Sequence, residues 1–249
     1  MVTEANVDLI VHDTFFRNQS TGVLIEVGAA RPDHLSISAS YRSRDWRIVA
    51  IEPNPNFCAL HRALGYNVLQ YACSDEDADN VPFFVADRHG TPYLGEPLSY
   101  ESFSSLGIKD EYATLLANDQ QKEDITISTI PVQVRRLDTI LAQHASDVSE
   151  IDVLAIDVEG WELSVMRGLN LVKRRPKVVI MENLFYNPGY QLFMRTAGYI
   201  FWQHLHPNDV YVREDLRSFI PKHIREYAKE WFARAGLLNA ARRVKRVFE

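Results

Sequence analysis

LAIDVEGWE, residues 154–162, carries an apolar run straight into a group of acids around a glycine. With Asp152 and Val153 in front of it, the run has the length and composition of a strand buried on both faces. Gly160 allows a tight turn, and WELSVMRGL follows with Val165, Met166 and Leu169 spaced as the inner face of a helix. Glu162 falls in that helix's first turn, where the helix dipole favours an acid. Asp157 and Glu159 thus stand where a buried strand gives way to a helix. Charges are costly inside a buried strand and persist when they are paired or solvated, so the pair marks a candidate site.

The same alternation extends in both directions. Residues 6–16 read as a short leading helix. Residues 23–29 (VLIEVGA) read as a strand, residues 30–42 as a helix with Pro32 in its first turn, and residues 47–53 (RIVAIEP) as a strand. NPNFCALHRALG reads as a helix with Phe57, Leu60 and Leu64 on one side and Gly65 as its stop, and NVLQYAC as a third strand. Beyond the starting stretch come a strand at KVVIMEN, a helix at GYQLFMRTAG, and a closing pair, YIFWQHL and DVYVRE, joined by HPN. Alternating strands and helices with short connections imply a parallel sheet, here of seven strands with one reversed. Residues 75–135 interrupt the pattern with strand-like pieces (VPFFVA, ISTIPVQV) and turn signals (DRHGTPY, LGEPLS) before a helix at LDTILAQH. An inserted hairpin or flap is expected there.

The whole-chain properties narrow the function. The 249 residues are 46% hydrophobic, which suits one large domain. No stretch approaches the roughly 18 apolar residues of a membrane span. The acidic start MVTEANVDLI lacks the basic opening of a signal peptide. Cys58 and Cys73 form neither a disulfide framework nor a metal motif, which points to a reduced, cytoplasmic setting. The net charge is −6, and residues 215–249 carry nine Lys/Arg against four Asp/Glu. An acidic body argues against nucleic acid as a partner. The tail reads as a basic amphipathic helical extension of a domain spanning residues 1–214. That helix would pack on the body or on a second copy of the chain, or touch a membrane surface through Trp231 and Phe232.

Ligands of open parallel sheets bind outside the carboxyl ends of the strands. Glu26 and Gly28 lie at the first such end, Glu52 at the second, Asp157 and Glu159 at the fourth, and Glu182 with Asn183 at the fifth. An acid about 20 residues beyond a glycine turn can accept the hydroxyls of a ribose. Dinucleotide sites add further glycines for a pyrophosphate, whereas GAARPD has one glycine, and Pro32 has no N–H to offer. S-adenosylmethionine has no phosphate and carries a cation that Glu26 would suit, so it is favoured over NAD. Ala29 belongs to the same cofactor turn, and Ser74, after the third strand, is placed near the adenine.

Together IEVGAA, VAIEPNP, VRRLDTIL and IDVEGWELSVMRGL resemble the FkbM family of S-adenosylmethionine-dependent methyltransferases, over roughly residues 23–206. The resemblance implies a Rossmann-like class I methyltransferase fold with helices on both faces of a mostly parallel sheet. It also implies methylation of a hydroxyl on a sugar, glycan, glycolipid or related natural product. On this resemblance Gly28 and Glu26 fall in the cofactor loop, Glu52 on the ribose acid, and Asp157 and Glu159 in the family signature. Glu182 matches an acid that members carry after the fifth strand. Members usually show Asn where this chain has Ala30, with a second glycine near Pro32.

In-line methyl transfer to a hydroxyl gains from a base within reach. Extended geometry would put Asp157 and Glu159 on one side, as a base with its orienting partner or as ligands of a divalent cation. His204 and His206, two residues apart in WQHLHPND, are second candidates for the base, and His206 is the one nearer the strand end. Trp161 and Tyr190 would either line an acceptor pocket or pack in the core, the commoner place for such aromatics. The competing reading is a non-catalytic nucleotide-binding scaffold that keeps the fold; its support is the altered GAARPD loop.

Overall fold

A computed structural model describes residues 4–88, 104–120 and 125–219. Its main sheet has seven strands: β1 (Val23–Val27), β2 (Arg47–Ile51), β3 (Val68–Leu69), β7 (Val153–Ile156), β8 (Val178–Glu182), β9 (Tyr199–Leu205) and β10 (Asn208–Arg213). They lie in the order β3-β2-β1-β7-β8-β10-β9. The first five are mutually parallel, while β10 runs antiparallel to both neighbours. The carboxyl ends of β1, β2, β7 and β8 therefore share one edge with the turn from β9 into β10. That turn contains the cis bond between His206 and Pro207.

Strand alternation sorts the side chains of β1 into two layers. Ile25 and Val27 face the layer of α5 (Leu137–His144), α6 (Glu162–Arg167) and α7 (Pro188–Thr196). Leu24 faces α1 (Val7–Val11) and α2 (Ser38–Arg42) on the other side. The helix α3 (Pro55–Ala63) starts on the side chain of Asn54, which accepts from Asn56 N at 2.9 Å, with Pro55 at the first helical position. Its inner face is Phe57, Cys58 and His61, whereas Leu64 is 52% exposed. The expected Phe57–Leu60–Leu64 face is thus displaced by one row.

Two other expectations need correction. Residues 30–37 form a loop, and helix α2 begins only at Ser38. Ala30 and Leu35 adopt left-handed φ values of 41° and 54°, so Pro32 opens no helix. NVLQYAC splits in two after Leu69. β3 stays in the main sheet, and β4 (Ala72–Ser74) pairs with the inserted unit.

That unit is the expected hairpin. β5 (Ala78–Arg88) runs antiparallel to β6 (Ile125–Arg136), and β4 lies parallel on the other side of β6. Between the hairpin strands, Ser105 bridges to Phe84 and α4 (Asp110–Gln120) follows. The turn signals of residues 89–99 and the basic tail from residue 220 onward lie outside the described residues. None of the described helices is long and apolar enough to cross a membrane.

Candidate functional site

A cavity of about 670 Å³ opens at the carboxyl edge of the sheet. One end is built from the β1 and β2 turns. Gly28 has φ 81°, and a Cβ at that position would stand 1.7 Å from the carbonyl oxygen of Asp157. Glycine is required here because the main chain of the β7 loop fills the space a side chain would take. The N–H groups of Gly28 and Ala29 both donate to Ile51 O, at 3.0 and 3.1 Å. Ala30 N donates to Glu52 Oε2 and Asn54 N to Glu52 Oε1, each at 2.8 Å. Glu52 thereby clasps the two turns together and still lines the cavity.

Glu26 also lines the cavity, and it is buried. Its carboxylate accepts from Ser38 Oγ at 2.5 Å, Ser38 N at 3.0 Å and Ser36 Oγ at 3.4 Å. Burial raises its pKa, and the Ser38 hydrogen bonds oppose that rise. Ala29 is part of the cavity wall. Ser74 is not on the wall; its hydroxyl donates to Asp75 at 3.0 Å, and the strand contributes Ala72 and Cys73 instead.

The other end gathers acids. Oxygens of Asp157, Glu162 and Glu182 all lie within 4.8 Å of one another. Asp157 is exposed, while Glu162 and Glu182 are buried. Glu162 Oε1 accepts from Val158 N and Gly160 N, each at 3.0 Å, and its other oxygen accepts from the Tyr190 hydroxyl. These bonds tighten the turn and hold Glu159 and Gly160 at φ 56° and 93°. The strand ends at Ile156, so the extended alternation expected for Asp157 and Glu159 does not hold, although both residues line the cavity. Glu182 Oε2 accepts from the Tyr112 hydroxyl of α4 at 2.9 Å. Burial raises the Glu182 pKa well above the carboxylate range, and repulsion from Asp157, Glu159 and Glu162 adds to the rise. Four carboxylates at close quarters favour retention of a proton, or a cation of the kind that oxygen ligands hold.

The inserted unit closes over this end. Trp161 Nε1 donates to Gly107 O at 2.9 Å, and Lys109 Nζ lies 3.7 Å from the centroid of the Trp161 ring. Trp161 is on the cavity wall as expected, but Tyr190 is buried beneath Glu162. His206 lines the wall and is exposed. His204 is not on the wall; its Nδ1 pairs with the buried Asp209 carboxylate at 2.8 Å. Sequence reading gives Glu162 only the helix dipole and misses Tyr112 altogether. The first is visible in the acid spacing of DVEGWE, whereas nothing local marks the second.

An open α/β sheet whose carboxyl-edge cavity joins a glycine turn and its acid partner to a second acid group has its pocket where sheets of this kind take their ligands. Residues 26–224 match the methyltransferase FkbM domain, and the chain belongs to that methyltransferase family. Among solved structures, a methyltransferase FkbM from Methylobacillus flagellatus KT is similar at 14% identity with a TM-score of 0.45. The match covers 81% of this chain and 47% of that one, so this chain spans about half the length of its structural relative. The comparison with curated proteins gives no match.

Proposed function

We propose that this protein is an S-adenosylmethionine-dependent O-methyltransferase with the Rossmann-like class I fold, acting on a hydroxyl of a sugar, glycan or related natural product. The observation that carries the reading is the β1 turn. Gly28, Ala29 and Ala30 have already committed their N–H groups inside the protein, and Pro32 has none. These positions therefore offer no N–H to a pyrophosphate, yet the turn keeps Glu52 on the cavity for ribose hydroxyls. Phe57 and Tyr71 on the same wall offer faces to an adenine, and Glu26 supplies an acid on the side of α2. When bound, S-adenosylmethionine supplies an electrophilic methyl group on a cationic sulfur.

The acid group serves the acceptor. Asp157 is exposed to the cavity and can take the proton of an acceptor hydroxyl as the new carbon–oxygen bond forms. Positioned proton transfer of this kind contributes roughly 10²–10⁴-fold. Burial and the acids beside it favour the protonated form of Glu182, which lowers the negative charge around Asp157. Glu159 flanks it, and His206 is the alternative base. A divalent cation on Asp157, Glu162 and Glu182 would acidify the hydroxyl instead. Three donors already occupy the Glu162 oxygens, which favours the metal-free route.

Calorimetry with S-adenosylmethionine on the wild type and Glu52→Gln tests the reading. Loss of a charged acceptor should weaken binding by about 10–100-fold. An acceptor screen should then show transfer by the wild type that Asp157→Ala loses and EDTA leaves intact. No binding by folded wild type would sink the proposal. Binding without transfer to any acceptor would return the scaffold reading.

A further inference from the structure

Tyr186 is one of the few large apolar side chains left exposed among the described residues, at 61%. It sits four residues after Glu182, in the β8–α7 loop, with a left-handed φ of 54°. That backbone is costly for a tyrosine and gains no burial in return. The loop is nonetheless well tied. Tyr186 N donates to Asn183 O at 3.0 Å, and Asn187 N donates to Asn183 Oδ1 at 2.7 Å. The Asn183 amide donates to the buried Asp209 carboxylate at 2.7 Å.

The ring of Tyr186 has a built support. It lies 4.4 Å from the His204 ring, tilted by 36°, and 6.1 Å from the His206 ring at only 16°. His204 is fixed in turn by Asp209 at 2.8 Å. At the edge, the Tyr186 hydroxyl meets His206 Nδ1 at 3.4 Å. An aromatic face is thus held open to solvent with polar atoms along its rim, beside the cavity wall that His206, Leu184 and Glu182 share. The charge around it is selective. Among the described lining residues the single Lys or Arg is Arg31, and Asp33 holds its guanidinium at 3.0 Å. Among the described lining residues a phosphorylated or carboxylated acceptor would meet Asp157, Glu159 and Glu182, while the nearby Lys109 ammonium lies over the Trp161 ring.

We propose that Tyr186, backed by His204 and edged by His206, is the acceptor-stacking platform of this site, and that it takes the C–H face of an uncharged pyranose ring. Such a ring has an apolar face and a rim of hydroxyls, which matches an exposed aromatic face bordered by hydrogen-bonding groups. This inference rests on the O-methyltransferase reading for its purpose but not for its measurement.

The test is saturation-transfer NMR on the full chain without cofactor. The probes are methyl β-D-galactopyranoside, which has a face made only of C–H groups, and glucitol, an open-chain polyol with no rigid face. The wild type should saturate the C–H-face protons of the galactoside and leave glucitol silent. Tyr186→Ala should lower that signal about fivefold, while Tyr186→Phe and Tyr186→Trp keep it. Tyr186 is exposed, so all three variants should fold, and calorimetry with S-adenosylmethionine should give one affinity for the set. Equal saturation of galactoside and glucitol, no saturation of either, or an unchanged signal in Tyr186→Ala would overturn the platform. Failure of S-adenosylmethionine to bind the wild type would remove the cofactor reading, while the galactoside signal would still decide the platform.

Discussion

Glu182 is a buried carboxyl whose folded-state pKa is raised by burial and by the acids beside it. The folded protein therefore holds this proton more tightly than the unfolded chain does. Stability from this group is full below the unfolded value, about 4.3, and falls as pH rises toward the folded pKa. Glu182→Gln keeps an acceptor for Tyr112 and removes the charge. Its melting temperature should match the wild type at low pH and exceed it near neutrality, with a flatter profile between. Thermal melts across that range measure this, and parallel profiles would contradict it. Asp157, Glu159 and Glu182 are legible in the sequence, because each stands at or just past the end of an apolar strand, where a charge is costly. Their partners are not. Tyr112 reaches Glu182 from 70 residues away, through an insertion whose docking no local pattern encodes.

The inserted unit meets the body at the strand-to-helix turn. Trp161 Nε1 on Gly107 O, Lys109 over the Trp161 ring, and Tyr112 on Glu182 tie residues 104–112 to it. Trp161→Leu removes two of these ties. Amide exchange should then rise in peptides from α4 while protection in β1 and β7 stays as in the wild type. Uniform loss of protection would mean that Trp161 supports the whole core instead. Periodicity gave the elements of the main sheet because buried strands are short and apolar. It misread residues 30–37, at whose ends Glu52 and Glu26 draw N–H groups of Ala30 and Ser38 into the acid sites, with left-handed backbone at Ala30 and Leu35. It also joined β3 to β4, since a change of sheet leaves no mark in a run of apolar residues.

The molecule as a whole should distinguish between nucleotides by its thermal stability. A ligand at about 100 times its Kd adds roughly 2.7 kcal/mol to the folded state. For a chain of this size that is a rise of roughly 5–10 °C in melting temperature. S-adenosylmethionine should produce it. NADH should leave the transition within about 1 °C, because the Gly28, Ala29 and Ala30 N–H groups are already bonded inside the protein and Pro32 has none to give a pyrophosphate. A larger NADH shift would reverse the preference for S-adenosylmethionine over NAD. The turn after β1 and the turn after β7 are also in direct contact, where Asp157 N donates to Val27 O at 3.0 Å and the Asp157 carbonyl occupies the place of a Gly28 side chain. That space is filled by main chain, so no exchange of a neighbouring side chain can enlarge it. A side chain at position 28 would require the main chain after β7 to move, so the two turns can change shape only together.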